Sequence, residues 1–275
     1  MNEYLMRSSA HGDSTNRAEV KDRGASVFVA ASTECFPELS LVDSIERLGD
    51  LEYSAIEIAI NEWGQQLKPS QVLDQLEAAT AMCRDTHRMD IAGFFVRINA
   101  TGDEFYRQFQ ACSRMAKAAK VVSITVPSAE LGTPFNEEVE HLRRLVDIAT
   151  VDGVLVSIKT EVGRLSQDPD TIQVMCDNVK GLGVTLDPSH YIYQAPSNRG
   201  YDQLLKYVYS VHLRDTTKDT LQVRVGQGEV EYSKLITQLR RFDYRRGLVV
   251  DMAAIEGVDH NSEMRKIRLL LESLL

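Results

Sequence analysis

The sequence predicts a closed (β/α)8 barrel, and three observations predict it. First, eight apolar runs rich in β-branched residues recur along the chain. They are 26-SVFVAAS-32, 54-SAIEIAI-60, 90-DIAGFFVRI-98, 120-KVVSITV-126, 153-GVLVSIKT-160, 183-GVTLD-187, 208-VYSVHL-213 and 247-GLVVDM-252. Second, longer segments with helical spacing lie between them, so strand and helix alternate. Third, no GxGxxG follows the first run, which weakens the doubly wound open sheet as the competing architecture. Eight units over roughly 250 residues fit the barrel.

Taken in order, the helical segments carry their own signals. Ser40 stands before LVDSIERL as an N-cap. In 70–87, Val72, Leu73, Leu76, Ala79 and Met82 recur at three and four, which predicts one helix entered at Pro69-Ser70. In 137–149, Val139, Leu142, Leu145, Val146 and Ile148 do the same. Asp168-Pro169 opens the next helix before DTIQVMC, a further one begins near Tyr232, and 260-HNSEMRKIRLLLESLL-275 closes the ring. Gly226 and Gly228 in VRVGQGEVEY allow a tight loop ahead of Tyr232. Residues 1–24 are polar and lack a signal-peptide apolar segment, so they read as a disordered tail before a single domain over 25–275.

Bulk properties narrow the function classes. The chain has 275 residues and a net charge of −9, against a nucleic-acid partner, which usually meets a basic stripe. Four cysteines, Cys35, Cys83, Cys112 and Cys176, form no CxxC pair, which suits a reducing, cytoplasmic setting and argues against a zinc ribbon. No apolar run reaches the ~18 residues of a membrane helix, so no membrane partner is expected. His87, His141 and His260 are expected on the outer surface.

In such a barrel, chemistry sits where the strands end at their C-terminal side. The polar residues expected there are Glu57 on the second strand, Lys159 and Glu161 with the fifth, and Asp187 and His190 after the sixth. His212 and Arg214 belong to the seventh and Asp251 to the eighth. Arg214 has a competing role as an ion-pair partner of Asp215 or Glu57.

The motifs LDPSHY (186–191), VHLRD (211–215), VRVGQGEVEY (223–232) and LVVDM (248–252), with STECF (32–36), resemble the xylose isomerase-like barrels, the sugar-phosphate isomerases and epimerases. The resemblance runs from about residue 26 to 275. It implies one divalent ion, Mn²⁺, Mg²⁺, Co²⁺ or Zn²⁺, held by Glu, Asp, His and Glu from strands five to eight. It also implies proton transfer next to a carbonyl on a small sugar or sugar phosphate. Carried onto this chain, Asp187, His212 and Asp251 are the implied metal ligands. Asp251 and Lys159 stand at the acid and base positions, and His190 and Arg224 at substrate contacts. Arg224 could instead pair with Asp215 or Glu229. Glu57 is expected inside the pocket, and Trp63, the only tryptophan, is expected either to stack on a sugar face near the mouth or to pack under the loop after the second strand. Copies of such barrels pair through helices, so a homodimer is one expected assembly.

Two positions depart from that pattern. The strand-five glutamate is Lys159, and the strand-eight glutamate is the shorter Asp251. An ammonium cannot ligate a cation. Three outcomes follow: Lys159 replaces the metal with its own charge, Glu161 takes over as ligand from about 6–7 Å further along the strand, or Lys159 is a catalytic amine. A noncatalytic sugar-binding or interaction protein is the alternative reading. A metal-dependent endonuclease is the least favoured, because the early strands offer no histidines for a zinc cluster.

Overall fold

The computed structural model describes residues 26–194 and 200–275, and the expected tail at 1–24 lies outside them. Eight parallel strands close into a barrel in chain order. They are β1 (Phe28–Ser32), β2 (Ala55–Ile60), β3 (Asp90–Val96), β4 (Ser123–Pro127), β5 (Leu155–Lys159), β6 (Leu182–Leu186), β7 (Val208–Leu213) and β8 (Gly247–Val250). β1 closes the ring on β8 through the register Phe28↔Gly247 to Ala31↔Val250. Each expected strand forms.

Among the described residues the helices are α1 (Leu41–Asp50), α2 (Pro69–Asp74), α3 (Leu76–Arg84), α4 (Gly102–Ala118), α5 (Phe135–Asp152), α6 (Pro169–Asn178), α7 (Ser189–Ile192), α8 (Tyr232–Arg241) and α9 (His260–Glu272). Ser40 caps α1, its Oγ accepting from the N–H of Asp43 at 3.2 Å. Asp168 caps α6 in the same way through Asp170. The single helix expected over 70–87 is two, because Gln75 leaves helical geometry at φ −136° and ψ 50°. Its N–H still reaches the Gln71 carbonyl and its carbonyl accepts from Ala79. The ladder therefore continues on both sides of the kink, and the side-chain period alone does not register it.

Strand alternation divides the interior in two. Outward residues such as Ile56, Ile58, Val156, Ile158, Val184 and Leu248 join Leu142 and Leu145 of α5 and Ile267 of α9 in the core between barrel and helices. Each such side chain contributes at most about 1.5–3 kcal/mol. A separate small cluster, Ala30, Ala55 and Val249, fills the inside of the barrel at its lower end. Above it the inner wall turns polar. Thr185 Oγ1 lies 2.8 Å from Thr125 Oγ1 and 2.7 Å from Ser157 Oγ, so three buried hydroxyls on β4, β5 and β6 satisfy one another. Two residues further along β5 comes Lys159, and two along β6 comes Asp187, on the same inner face.

The glycine loop behaves as expected, with one added reason. Gly226 has φ +83°, and a Cβ on Gly228 would lie 2.0 Å from Asp215 Oδ1. Asp215 accepts from the N–H groups of Gly226 (2.7 Å) and Gly228 (3.0 Å), pinning the loop to the end of β7. Asp215 is therefore committed to backbone and not to Arg214 or Arg224. No helix among the described residues is long and apolar enough to cross a membrane.

Candidate functional site

Five strands deliver ionisable side chains to one buried cluster on the barrel axis. β5 ends in Lys159, β6 runs into Asp187, β7 carries His212 and leads to Arg214, β8 leads to Asp251, and β2 contributes Glu57. Lys159, Asp187, His212, Asp251 and Glu57 are all buried. The α7 turn that follows Asp187 is set by Pro188, and Ser189 donates to Asp187 Oδ1 from both its N–H, at 3.1 Å, and its Oγ.

Charge is balanced atom by atom. Lys159 Nζ donates to Asp251 Oδ2 and lies 3.8 Å from Asp187 Oδ2. Arg214 Nη2 bridges both acids, at 2.9 Å from Asp187 Oδ2 and 2.9 Å from Asp251 Oδ2. His212 places Nδ1 3.1 Å from Asp251 Oδ2 and Nε2 3.0 Å from Glu57 Oε2. With a carboxylate at each ring nitrogen, only the doubly protonated imidazolium donates to both.

The titration tendencies agree with this geometry. Burial pushes the Asp251 carboxyl up, but Lys159, Arg214 and His212 together hold it well below the usual carboxylate range. Burial likewise opposes ionisation of Asp187, and Arg214, His190 and Lys159 overcome it and lower its pKa. Burial disfavours the His212 cation, yet the Glu57 and Asp251 carboxylates raise its pKa above the ordinary value. His190 goes the other way. Burial lowers it, only partly offset by Asp187, whose Oδ2 lies 3.6 Å from Nε2, and its Nδ1 accepts from the Val162 N–H at 3.2 Å.

A divalent ion does not fit these residues. The carboxylate oxygens that would face it already hold an ammonium and a guanidinium, and neither nitrogen of His212 has a free lone pair. No group of three or more His, Cys, Asp or Glu among the described residues is arranged to hold a metal. Glu161 does not join Asp187 and Asp251; its Oε2 lies 3.1 Å from Arg164 Nε.

The expected substrate contacts separate. Glu57 is sealed beneath His212, with Oε1 unpaired. His190 stays beside Asp187. Arg224 points to α9, its Nε 3.7 Å from Glu263, and pairs with neither Asp215 nor Glu229. Trp63 stands half exposed over a cleft of about 550 Å³ at the ends of β3 and β4, bordered by Arg97, Asn99, Ser128, His141 and Arg164.

Arg214 pairs with Asp187 and Asp251, not with the expected Asp215 or Glu57, and neither His141 nor His260 is the free surface residue expected. His141 is largely enclosed, its Nδ1 2.9 Å from the Tyr106 hydroxyl. His260 Nε2 lies 2.9 Å from the Cys35 carbonyl, with its ring against Phe36. The missed residue is Phe95. Its ring lies 5.0 Å from Lys159 Nζ, 3.8 Å from the Arg97 guanidinium and 5.6 Å from the His212 ring, so it separates the axial cluster from the cleft. The only sequence signal was two aromatics in GFFVRI.

Comparisons with known proteins bear on the fold. A family model described as a xylose isomerase-like TIM barrel matches residues 45–271. No curated protein matches the chain in a sequence comparison. Among solved structures, a xylose isomerase-like TIM barrel protein from Mycobacterium smegmatis in complex with magnesium superposes with TM-score 0.72 at 12% identity, covering 90% of this chain and 95% of that one. D-Allulose 3-epimerase from Methylomonas sp. gives 0.71 at 13% identity, covering 92% and 99%. The 3-keto-D-glucoside 4-epimerase from E. coli gives 0.68 at 14% identity, covering 91% and 100%. At these identities the superpositions speak for the fold.

Proposed function

Because the chain belongs to the xylose isomerase-like TIM barrel family, we propose that it is a sugar isomerase/epimerase-like protein whose axial site works with built-in cations, Lys159 and Arg214, where a metal would otherwise stand. The observation that carries this reading is the one-sided loading of Asp251. Lys159, His212 and Arg214 all converge on its Oδ2, and Oδ1 accepts no hydrogen bond from the described residues.

Among the described residues that leaves one carboxylate oxygen without a donor, beside one partly exposed guanidinium. Asp251 Oδ1 removes the proton from the carbon next to a bound carbonyl, the electron pair moves onto the carbonyl oxygen, and Arg214 donates to the resulting enediolate. The hydroxyl proton on the deprotonated carbon passes to the former carbonyl oxygen, and Asp251 then returns its proton to the former carbonyl carbon on the same face, so that a carbonyl forms on the deprotonated carbon and an aldose–ketose interchange is complete. Inversion at one carbon would need a second base on the opposite face. Asp187 does not supply it, because Ser189 occupies Oδ1 and Arg214 occupies Oδ2. The reading therefore favours isomerisation over epimerisation.

A second reading, noncatalytic sugar binding, is favoured by the same cations, which make Asp251 a weak base. The deciding experiment follows uncharged ketoses in D₂O by NMR, with and without chelator, beside elemental analysis of the purified protein. Deuterium incorporation that survives the chelator and disappears in Asp251→Asn supports the isomerase reading. Binding without exchange supports the second. One equivalent of bound metal with chelator-sensitive turnover overturns both.

A further inference from the structure

The cleft over β3 and β4 is a different place from the axial cluster. None of Lys159, Asp187, His212, Arg214 or Asp251 lines it, and the Phe95 ring stands between the two. Its volume of about 550 Å³ falls in the range of small-molecule sites.

Its lining has the parts that recognise hydroxyl groups on a ring. Trp63 leaves 45% of its surface open, and the Arg97 guanidinium holds the indole in place from 5.6 Å. Arg97 uses Nη1 for both oxygens of Glu34; Arg164 uses Nη1 for the Ser128 carbonyl at 2.7 Å and forms an ion pair with Glu161 through Nε at 3.1 Å, without a hydrogen bond. The Nη2 of each donates to no described residue. Asn99 adds an amide at the border, and Glu138 is a buried acceptor whose Oε1 takes the Ala129 N–H at 2.9 Å.

Charge selects among ligands. Both arginines are already matched, by Glu34 and Glu161, and Glu130, Glu137 and Glu138 also line the cleft. A phosphate would meet more carboxylates than unmatched cations. An uncharged polyol uses spare N–H donors and carboxylate acceptors together, and an aromatic face suits the C–H side of a sugar ring.

We propose that this cleft is a second binding site, separate from the barrel axis, for an uncharged sugar-sized polyol stacked on Trp63 and held by Arg97, Asn99 and Arg164. The inference does not rest on the axial reaction proposed above.

Trp63 is the only tryptophan of the chain, so tryptophan emission reports on its surroundings, and the substitutions below tell binding in the cleft from binding on the axis. Titration with D-allulose or D-fructose is expected to change that emission saturably, and D-fructose 6-phosphate to bind at least tenfold more weakly. Asn99→Ala and Arg164→Gln each weaken the sugar about tenfold, and Asp251→Asn leaves its affinity unchanged. Calorimetry on Trp63→Phe, with circular dichroism to verify folding, checks binding without the fluorophore; a drop in affinity supports stacking. The proposal is overturned if the phosphate binds as tightly as the free sugar, or if no saturable change appears. It is also overturned if Asp251→Asn abolishes binding while Asn99→Ala does not. That last pattern would place the sugar on the axis and leave the isomerase reading intact.

Discussion

Lys159, the last residue of β5, and Asp251, the first residue beyond β8, meet as a buried ion pair inside the barrel mouth. Their strands stand three apart in the ring, and each charge is tolerated there because opposite charges surround it, Asp187 beside Lys159 and His212 and Arg214 beside Asp251. A buried ion pair is weak evidence for stability, but breaking one is costly because it strands the remaining charge.

Lys159→Met is therefore expected to lower unfolding stability by about 3 kcal/mol, read from urea denaturation midpoints at constant slope. Adding Asp251→Asn should return part of that loss, since without Lys159 the cluster of Asp187, Asp251, Glu57, His212 and Arg214 carries one excess negative charge, which the second substitution removes. Strictly additive effects of the two substitutions would contradict the pairing.

The pH dependence has two limbs. Asp187 and Asp251 have depressed pKa values in the folded state, so their contribution is present above the unfolded value near ~3.9 and is lost as pH falls through the folded values. His212 is raised, so its contribution is complete below about pH 6.5 and is lost as pH rises through the folded value. Thermal melts from pH 3 to 10 should show His212→Asn losing an alkaline decline that the wild type has. The acid limb should remain. His190, shifted downward, acts in the opposite sense near neutrality, and comparing the two proteins at each pH cancels it.

Replacing the built-in cation should restore a place for an external one. Lys159→Glu gathers a third carboxylate near Asp187 and Asp251. Mn²⁺ is expected to raise its melting temperature, with roughly 2.7 kcal/mol of linkage at one hundred times Kd. The wild type should not respond. Equal stabilisation of both proteins would refute the view that Lys159 and Arg214 exclude the ion.

Gly228→Ala should destabilise the loop by about 1–3 kcal/mol, because the new methyl collides with Asp215 and with the Thr216 carbonyl. Gly200→Ala, where nothing lies within 4 Å, serves as the control and should be within ~0.5 kcal/mol of wild type. Differential scanning calorimetry on both variants distinguishes a steric effect from a general intolerance of alanine.

The barrel was legible because its evidence is periodic. Alternation in AIEIAI and KVVSITV, and the three-and-four spacing of α5, are local patterns that tertiary packing then uses directly. Site residues were legible by position, since a strand end faces the mouth. Their partners were not. Nothing in the spacing of VHLRD says that Arg214 spans Asp187 and Asp251, because that depends on the relative heights of three strands around the ring. Glu161 illustrates the same limit: parity along β5 suggested the side facing Asp187, but the chain leaves the strand at Lys159, and the loop sends Glu161 to Arg164. Phe95 was invisible for a further reason. An aromatic in a strand reads as core, and its position between two cations appears only in three dimensions.

The pairing of β1 with β8 also governs how the chain is made. Cys35, just after β1, has its Sγ 3.4 Å from the Val250 carbonyl and 3.4 Å from the Met252 N–H; the first of these contacts spans 215 residues. At ribosomal rates of about 5–20 residues per second, the free edge of β1 waits on the order of 10–40 s for its last partner. A chain whose strands pair in the order of synthesis is, through that interval, an open parallel sheet with an unpaired border, the form most exposed to pairing with a neighbouring polypeptide. Yield in a cell should therefore depend on holding chaperones during translation, even where the finished barrel is stable.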